Sequence, residues 1–259
     1  MMKKRLLGAA VAAALAMGSS MAWAQDLRVA VDPTYEPMVY KNAQGELVGF
    51  NIDFANALCE ELKRKCVFVE QVWDAMIPGL QSRRYDVIIS DMNITEERKR
   101  VIDFTGRYYK TPSVIVVKNS VDFKDLDSLK GLTLGVLKGS TMQRYAEGEL
   151  APRGVKLMGY EAQDQVYLDI KSGRLDGTVA DKMEVDGAFL GKPEGKDFKV
   201  VGPDLLDEKY FGEGMGIALR KGQPELKEQL NKGIKTLREN GKYQEIAKKY
   251  FDFDPYGAD

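Results

Sequence analysis

An α/β fold with mainly parallel sheets is predicted by three features of this chain. Short β-branched apolar runs such as Leu27–Val31, Val87–Ile89 and Leu132–Leu137 recur along it, and segments of helical period separate them. The runs end in polar turns, several of which carry a capping residue for the next helix. No repeat of solenoid period and no low-complexity linker interrupts the alternation.

The order of elements follows from these signals. Lys3, Lys4 and Arg5 precede an apolar core, Leu6 to Met17, and Ala22-Trp23-Ala24 supplies an A-x-A site. This pattern predicts an export segment cleaved after Ala24, because the core is too short to span a bilayer. No cysteine follows the site to take a lipid anchor. Leu27–Val31 reads as a strand, followed by the loop Asp32-Pro-Thr-Tyr-Glu-Pro37. Asn51 is expected to cap a helix with Phe54, Ala55, Leu58 and Leu62 on one face. Val67–Val69 is a strand, Asp74–Arg83 a helix capped at Asp74, and Tyr85–Ile89 a strand. Thr95 reads as an N-cap, with Glu96 and Glu97 in the first turn where the helix dipole favours acids. Thr111–Lys118 is extended and apolar. A second series then runs strand Leu132–Leu137, helix Met142–Glu149, strand Val155–Met158, helix Ala162–Ser172 and strand Gly177–Ala180. Two helices close the chain, one with Leu226, Leu230, Ile234 and Leu237 on a face, the other with Tyr243, Ile246, Ala247 and Tyr250. If there are two lobes, the joins are extended strands, with Thr111–Val117 and Gly214–Leu219 as the candidates.

Composition narrows the function. The chain has 259 residues and no histidine, which removes Ser-His-Asp and Cys-His catalysis and histidine metal sites. Without residues 1–24 it has 235 residues, 35 basic and 39 acidic, a net charge of −4. No basic surface for nucleic acid or an anionic membrane is indicated. The basic groups Arg98-Lys99-Arg100 and Lys248-Lys249 sit in helical patterns and read mostly as solvated faces. Cys59 and Cys66 lie seven apart, and in an oxidising compartment they read as a local disulfide. Two thiols without histidine make a poor metal site.

Several residues have the chemistry of a binding site. Arg98 follows two acids in a first helical turn, where a cation is disfavoured unless it is paired or holds an anion. The polar loop Ser90–Asn93 lies beside it, at the carboxyl end of a strand, where α/β proteins place ligands. An ordinary solvated helix start is the alternative. Gly135-Val-Leu-Lys-Gly-Ser-Thr141 leads a strand through a Gly139 turn into a helix, a place for an anion, although such turns are common and the P-loop spacing is absent. Asp181 ends a strand and either holds an ammonium or caps the next helix. Asp32 and Tyr35 follow the first strand at the equivalent edge. Trp73 is either core or a flat wall for a planar or cationic ligand.

Taken with Gly45-Glu-Leu-Val-Gly-Phe-Asn51, Asn93-Ile-Thr-Glu-Glu-Arg98, Ser172-Gly-Arg-Leu-Asp176, Tyr210-Phe-Gly212 and Lys249-Tyr-Phe-Asp-Phe-Asp254, the chain resembles the periplasmic amino-acid-binding proteins of ABC importers. The lysine/arginine/ornithine- and histidine-binding group is the nearest likeness. The resemblance implies a two-lobed type II periplasmic binding protein fold, each lobe a mainly parallel sheet flanked by helices. It implies an export segment at 1–24, a first lobe from 25–110 and 214–259, and a second lobe from 111–213. Arg98 is then expected to grip the ligand α-carboxylate, with backbone amides at Asn93 and Thr141. Asp181 would take the α-ammonium, helped by Asn93 and the Asp91 carbonyl. Tyr35 and Trp73 would sandwich the ligand side chain, with Ser90 nearby, Asp32 at its distal end, and Leu137 and Ser140 on the opposite wall.

Three positions depart from the group: Asp91 is usually small, Met142 is often polar, and Asn93 is commonly a hydroxyl residue. The resemblance implies a monomeric receptor, without metal or cofactor, that passes arginine, lysine or ornithine, or histidine, to an inner-membrane permease. Alternatives are a glutamine or opine receptor, a sensor feeding a chemoreceptor, and a dehydratase on the same fold that uses Asp91.

Overall fold

The computed structural model describes residues 26–257. The export segment and its cleavage site lie outside the described residues. In chain order the elements are β1 (Leu27–Val31), β2 (Thr34–Tyr35), β3 (Val39–Lys41), β4 (Leu47–Val48), α1 (Phe50–Glu61), β5 (Cys66–Glu70), α2 (Met76–Gln81), β6 (Val87–Ile88), α3 (Glu96–Lys99) and β7 (Asp103–Tyr109). They continue with β8 (Ser113–Lys118), β9 (Thr133–Leu137), α4 (Thr141–Tyr145), β10 (Lys156–Tyr160), α5 (Gln163–Lys171), β11 (Gly177–Asp181), α6 (Lys182–Val185) and β12 (Phe198–Leu205). The last elements are α7 (Glu208–Phe211), β13 (Met215–Leu219), α8 (Pro224–Glu239) and α9 (Lys242–Ala247).

Two lobes, each built on a five-stranded sheet, give the type II periplasmic binding protein architecture. The first sheet has the order β5-β1-β6-β13-β7 and the second β10-β9-β11-β8-β12. Sequence reasoning expected mainly parallel sheets, but both are mixed. β13 pairs antiparallel with β6 and β7, and β8 pairs antiparallel with β11 and β12. The reason lies in the connections: β8 is the strand by which the chain enters the second sheet, and β13 is the strand by which it returns to the first. Each arrives from the other lobe and so runs against the strands made within its own. The joins also differ from the expected strands. Residues 113–118 and 215–219 are sheet members, so residues 110–112 make one passage and residues 206–214, which include α7, the other.

Central strands of each sheet are covered on both faces, so β1, β6, β8, β9 and β13 are largely apolar rather than alternating. In β1, Leu27, Val29 and Val31 face a core with α1, α8 and α9, whereas Ala30 faces a second core with Met76, Leu80 and Tyr85. The first core is aromatic: the Phe54 and Tyr108 rings stack at 4.6 Å, and Phe251 meets Phe50 edge-on at 4.9 Å. In the second lobe, Ile115 and Val117 face one cluster and Val114 and Val116 the other.

Three helix starts differ from their sequence expectations. Asn51 does not cap α1; Gly49 does, at φ +123°, where a Cβ would collide with the Met38 carbonyl. The Asn51 side chain is fully buried instead and reaches Asp91. Asp74 lies inside a short 3-10 turn, Trp73–Ala75, before α2. The helix expected over 142–149 begins at Thr141 and widens into a π-helical turn from Ala146.

Cys59 and Cys66 form a disulfide between α1 and β5, with Cα atoms 5.7 Å apart. Closing so short a loop restricts the unfolded chain modestly, by about 2–3 kcal/mol. The Cys59→Ser/Cys66→Ser double variant is expected to lose that stability in urea denaturation with its slope unchanged. An unchanged midpoint would show that the bridge contributes nothing.

Candidate functional site

The loops after β1, β5, β6, β9 and β11 leave the carboxyl ends of their strands toward the boundary between the two sheets, the edge where open α/β sheets gather ligand groups. They line one cavity. Asp32 and Tyr35 reach it after β1, Trp73 after β5, and Ser90, Asp91 and Asn93 after β6. Leu137, Ser140 and Thr141 come from the end of β9 and the start of α4, and Asp181 from the end of β11. Ten of the eleven residues singled out in the sequence therefore share one cavity. The eleventh, Arg98, lies against its rim.

Arg98 is 7 % exposed. Thr95 caps α3, accepting the Arg98 N–H at 3.3 Å, and this sends the long side chain back over the polar loop. Its Nη1 donates to the Asn93 carbonyl at 3.1 Å and its Nη2 to the Gly139 carbonyl at 3.2 Å, so one guanidinium joins the two lobes. The Trp73 ring lies 5.3 Å from the guanidinium carbon, a cation–π distance. Gly139, at φ +70°, turns its carbonyl toward this contact. Burial lowers the guanidinium to about 10, aided by the Arg144 charge, which leaves it protonated at neutral pH. A buried cation held by carbonyls rather than by a carboxylate keeps its full charge for an anion.

Three acids line the cavity, and each is held by the protein. Asp32 Oδ1 accepts from the Thr34 amide at 3.1 Å and the Thr34 hydroxyl at 2.7 Å, while the Asp32 N–H donates to Ser90 Oγ at 3.0 Å. Asp91 sits at φ +57°, a conformation that an Asp tolerates better than most residues. Asn51 Nδ2 donates to both its oxygens at 3.0 Å, and the Tyr108 hydroxyl donates to Asn51 Oδ1 at 2.8 Å. Asp181 lines the cavity and is the cap of α6, accepting from the Met183 and Glu184 amides, while the Thr111 hydroxyl donates to Oδ2 at 2.5 Å. Burial raises all three acids, Asp91 well above the carboxylate range and Asp181 to about 6. The charges of Asp181 and Asp32 add to the rise at Asp91.

Other lining side chains are also held by the protein, two of them across the lobe boundary. Asn93 Nδ2 donates to the Phe211 carbonyl at 3.0 Å, and its Oδ1 accepts from Thr141 Oγ1 at 3.1 Å. Ser140 Oγ caps α4 by accepting from the Gln143 amide at 3.0 Å. Ser113, Met142 and Met215 also line the cavity. Sequence reasoning marked Met142 only as a departure and missed Ser113 and Met215, which enter through the pairing of the crossing segments.

The sequence pattern described as bacterial extracellular solute-binding proteins, family 3, matches residues 27–253. The L-arginine-binding protein of Pseudomonas aeruginosa is 46% identical over 259 residues, covering 100% of both chains. The histidine-binding periplasmic protein of Escherichia coli is 43% identical over 260 residues, covering 99% of this chain and 100% of that one. Among solved structures, an ancestral arginine-binding protein bound to arginine superposes with a TM-score of 0.81 at 37% identity, covering 87% of this chain and 98% of that one.

The raised acid at Asp181 has a measurable consequence. Its folded value of about 6 exceeds the ordinary 3.8, so between these values the folded chain holds a proton that the unfolded chain has released. Stability from this group is present at low pH and is lost as pH rises from about 4 through about 6. Without added ligand, Asp181→Asn should gain roughly 3 kcal/mol relative to the unaltered chain between pH 4 and pH 7 in urea denaturation. Parallel stability curves for the two proteins would refute the assignment.

Proposed function

We propose that this chain, which belongs to the family 3 bacterial extracellular solute-binding proteins, captures a cationic L-amino acid between its lobes and delivers it to an inner-membrane ABC permease. The observation that carries this reading is the charge gathered at the cleft: three buried acids, Asp32, Asp91 and Asp181, line the cavity, and one buried guanidinium, Arg98, contacts two residues that line it, Asn93 and Trp73. An amino acid with a basic side chain brings one anion for the guanidinium and two cations for Asp32 and Asp181, while burial favours the neutral form of Asp91. A neutral amino acid leaves a buried charge unpaired, at a cost of a few kcal/mol. The relatives named for arginine and histidine binding support the same ligand class.

In this reading Arg98 grips the α-carboxylate, with the amides of Asn93 and Thr141. Asp181 takes the α-ammonium, and Tyr35 and Trp73 flank the side chain. Asp32 supplies counter-charge beyond them, Asp91 stands beside it on the same wall, and Leu137, Ser140 and Ser90 complete the walls. Residues 25–110 and 214–259 form one lobe and residues 111–213 the other. Closure of the lobes draws on the contacts that cross their boundary: Arg98 with Gly139, Thr141 with Asn93, Arg144 with Glu97, and Lys192 with Glu36 at 2.6 Å. The chain acts as a monomeric receptor and not as an enzyme, in the periplasm after cleavage behind Ala24.

Thermal unfolding of residues 25–259 with a panel of L-amino acids tests the proposal. Ligand at a hundredfold its Kd adds about 2.7 kcal/mol. For a chain of this size the melting temperature should rise by about 5–10 °C, and only with arginine, lysine, ornithine or histidine. A flat panel would reject the reading. Arg98→Ala should abolish the rise for every amino acid, because the carboxylate clamp is common to all of them. Asp32→Asn should weaken the cationic ligands selectively, and an equal loss for glutamine would remove Asp32 from the specificity argument.

A further inference from the structure

Four serine and threonine side chains line the cavity, and three of them are already engaged by the protein. Ser90 Oγ accepts from the Asp32 amide, Ser140 Oγ accepts from the Gln143 amide, and Thr141 Oγ1 donates to Asn93 Oδ1. Ser113 is the fourth. It is 5 % exposed, and its hydroxyl makes no hydrogen bond among the described residues. Its oxygen is not sealed within the protein but stays open to the cavity that the residue lines. A nearly buried hydroxyl without a protein partner is uncommon, and its natural complement is a ligand or a water.

The sheet fixes where that hydroxyl stands. Ser113 opens β8, directly after the passage 110–112 that joins the lobes, and lies opposite Asp181 in the antiparallel register of β8 and β11. Residues opposite one another in such a pair project from the same face, with Cβ atoms about 4.5–5.5 Å apart. Ile115, Val117 and Val179 mark that face by sharing one core cluster, and Ser113 and Asp181 end its two rows. The hydroxyl is therefore the neighbour of the carboxyl group that the receptor reading assigns to the α-ammonium.

Asp181 does not complete an ammonium site alone. Its Oδ1 accepts from the Met183 and Glu184 amides at 2.9 and 3.3 Å, and its Oδ2 accepts from the Thr111 hydroxyl. These bonds use most of its roughly four lone-pair sites, whereas an ammonium brings three N–H donors. Asn93 Oδ1, the other side-chain acceptor expected there, already accepts from Thr141.

We infer that Ser113 is a ligand-binding residue of the second lobe, whose hydroxyl accepts an N–H of the α-ammonium beside Asp181. The inference rests on the amino-acid-receptor reading above and adds an acceptor that reading did not assign. A hydroxyl suits the place because it accepts a hydrogen bond without adding a further acid to a cavity that already holds Asp32, Asp91 and Asp181. Every α-amino acid carries this ammonium, so Ser113 sets affinity and not the choice of side chain.

Calorimetric titration of residues 25–259 with L-arginine, L-lysine, L-ornithine and L-histidine tests this. Ser113→Ala removes the hydroxyl and little else. It should weaken each ligand that binds by the same factor, about tenfold, the scale of one hydrogen bond to a charged group. Without ligand its melting temperature should match that of the unaltered chain, because the hydroxyl serves no protein partner. A loss below about twofold would overturn the inference, as would a loss confined to some of the ligands that bind, which places Ser113 at the side chain. A ligand-free melting temperature lower by more than about 3 °C would show a structural role and overturn it as well. A ligand-bound crystal structure decides the matter without any variant. A ligand nitrogen within about 3.2 Å of Ser113 Oγ is expected there, and water alone at that oxygen would refute the assignment. If the unaltered chain binds none of the four amino acids, the receptor reading itself fails and the inference falls with it, a result distinguished by that titration alone.

Discussion

The contact on which the cleft depends is a guanidinium buried between two main-chain carbonyls, Asn93 on one lobe and Gly139 on the other. Taking a cation out of water is expensive, and carbonyl dipoles and an indole face offset only part of the cost. The surroundings are arranged to hold it there. Thr95 starts the helix that carries Arg98, Trp73 covers the guanidinium, and the positive φ of Gly139 presents the second carbonyl. A cation kept protonated, buried and free of a carboxylate partner has the character of a receptor for an anion rather than of a structural ion pair.

The acids that line the cavity follow the opposite logic. Asp32, Asp91 and Asp181 are each stabilised by donors of the protein, yet burial raises all three, so the field of the cavity is negative and costly. The Tyr108–Asn51–Asp91 chain carries that polarity down into the aromatic core of the first lobe, where Phe54 stacks on Tyr108. The site and the core are thus mechanically continuous on that side.

Fold and site were legible in the sequence to different depths. Strands buried on both faces, such as Val114–Val117, declare themselves as continuous apolar runs, and the turns after them carry recognisable caps at Thr95, Ser140 and Asp181. Sheet polarity was less legible, because whether β8 and β13 run with or against their neighbours depends on which lobe the chain has just left. Asn51 shows a second limit. Its position before an apolar helical face reads as a cap, but Gly49 can adopt the required φ and Asn51 is then drawn inside toward Asp91.

The sequence by itself determined the alternation of elements, the disulfide pair, the lack of histidine chemistry and the loop residues at the carboxyl ends of the strands. Those properties are local, set by periodicity, capping chemistry and residue type over a few positions. The tertiary structure alone decided that loops from five strands in two sheets enclose one cavity, that Arg98 spans the lobes, and that Ser113, Met215 and Glu184 stand beside residues remote from them in the chain. The physical reason is that burial and partner choice are properties of the packed whole. An acid in a first helical turn is solvated or desolvated only according to what the rest of the fold places over it.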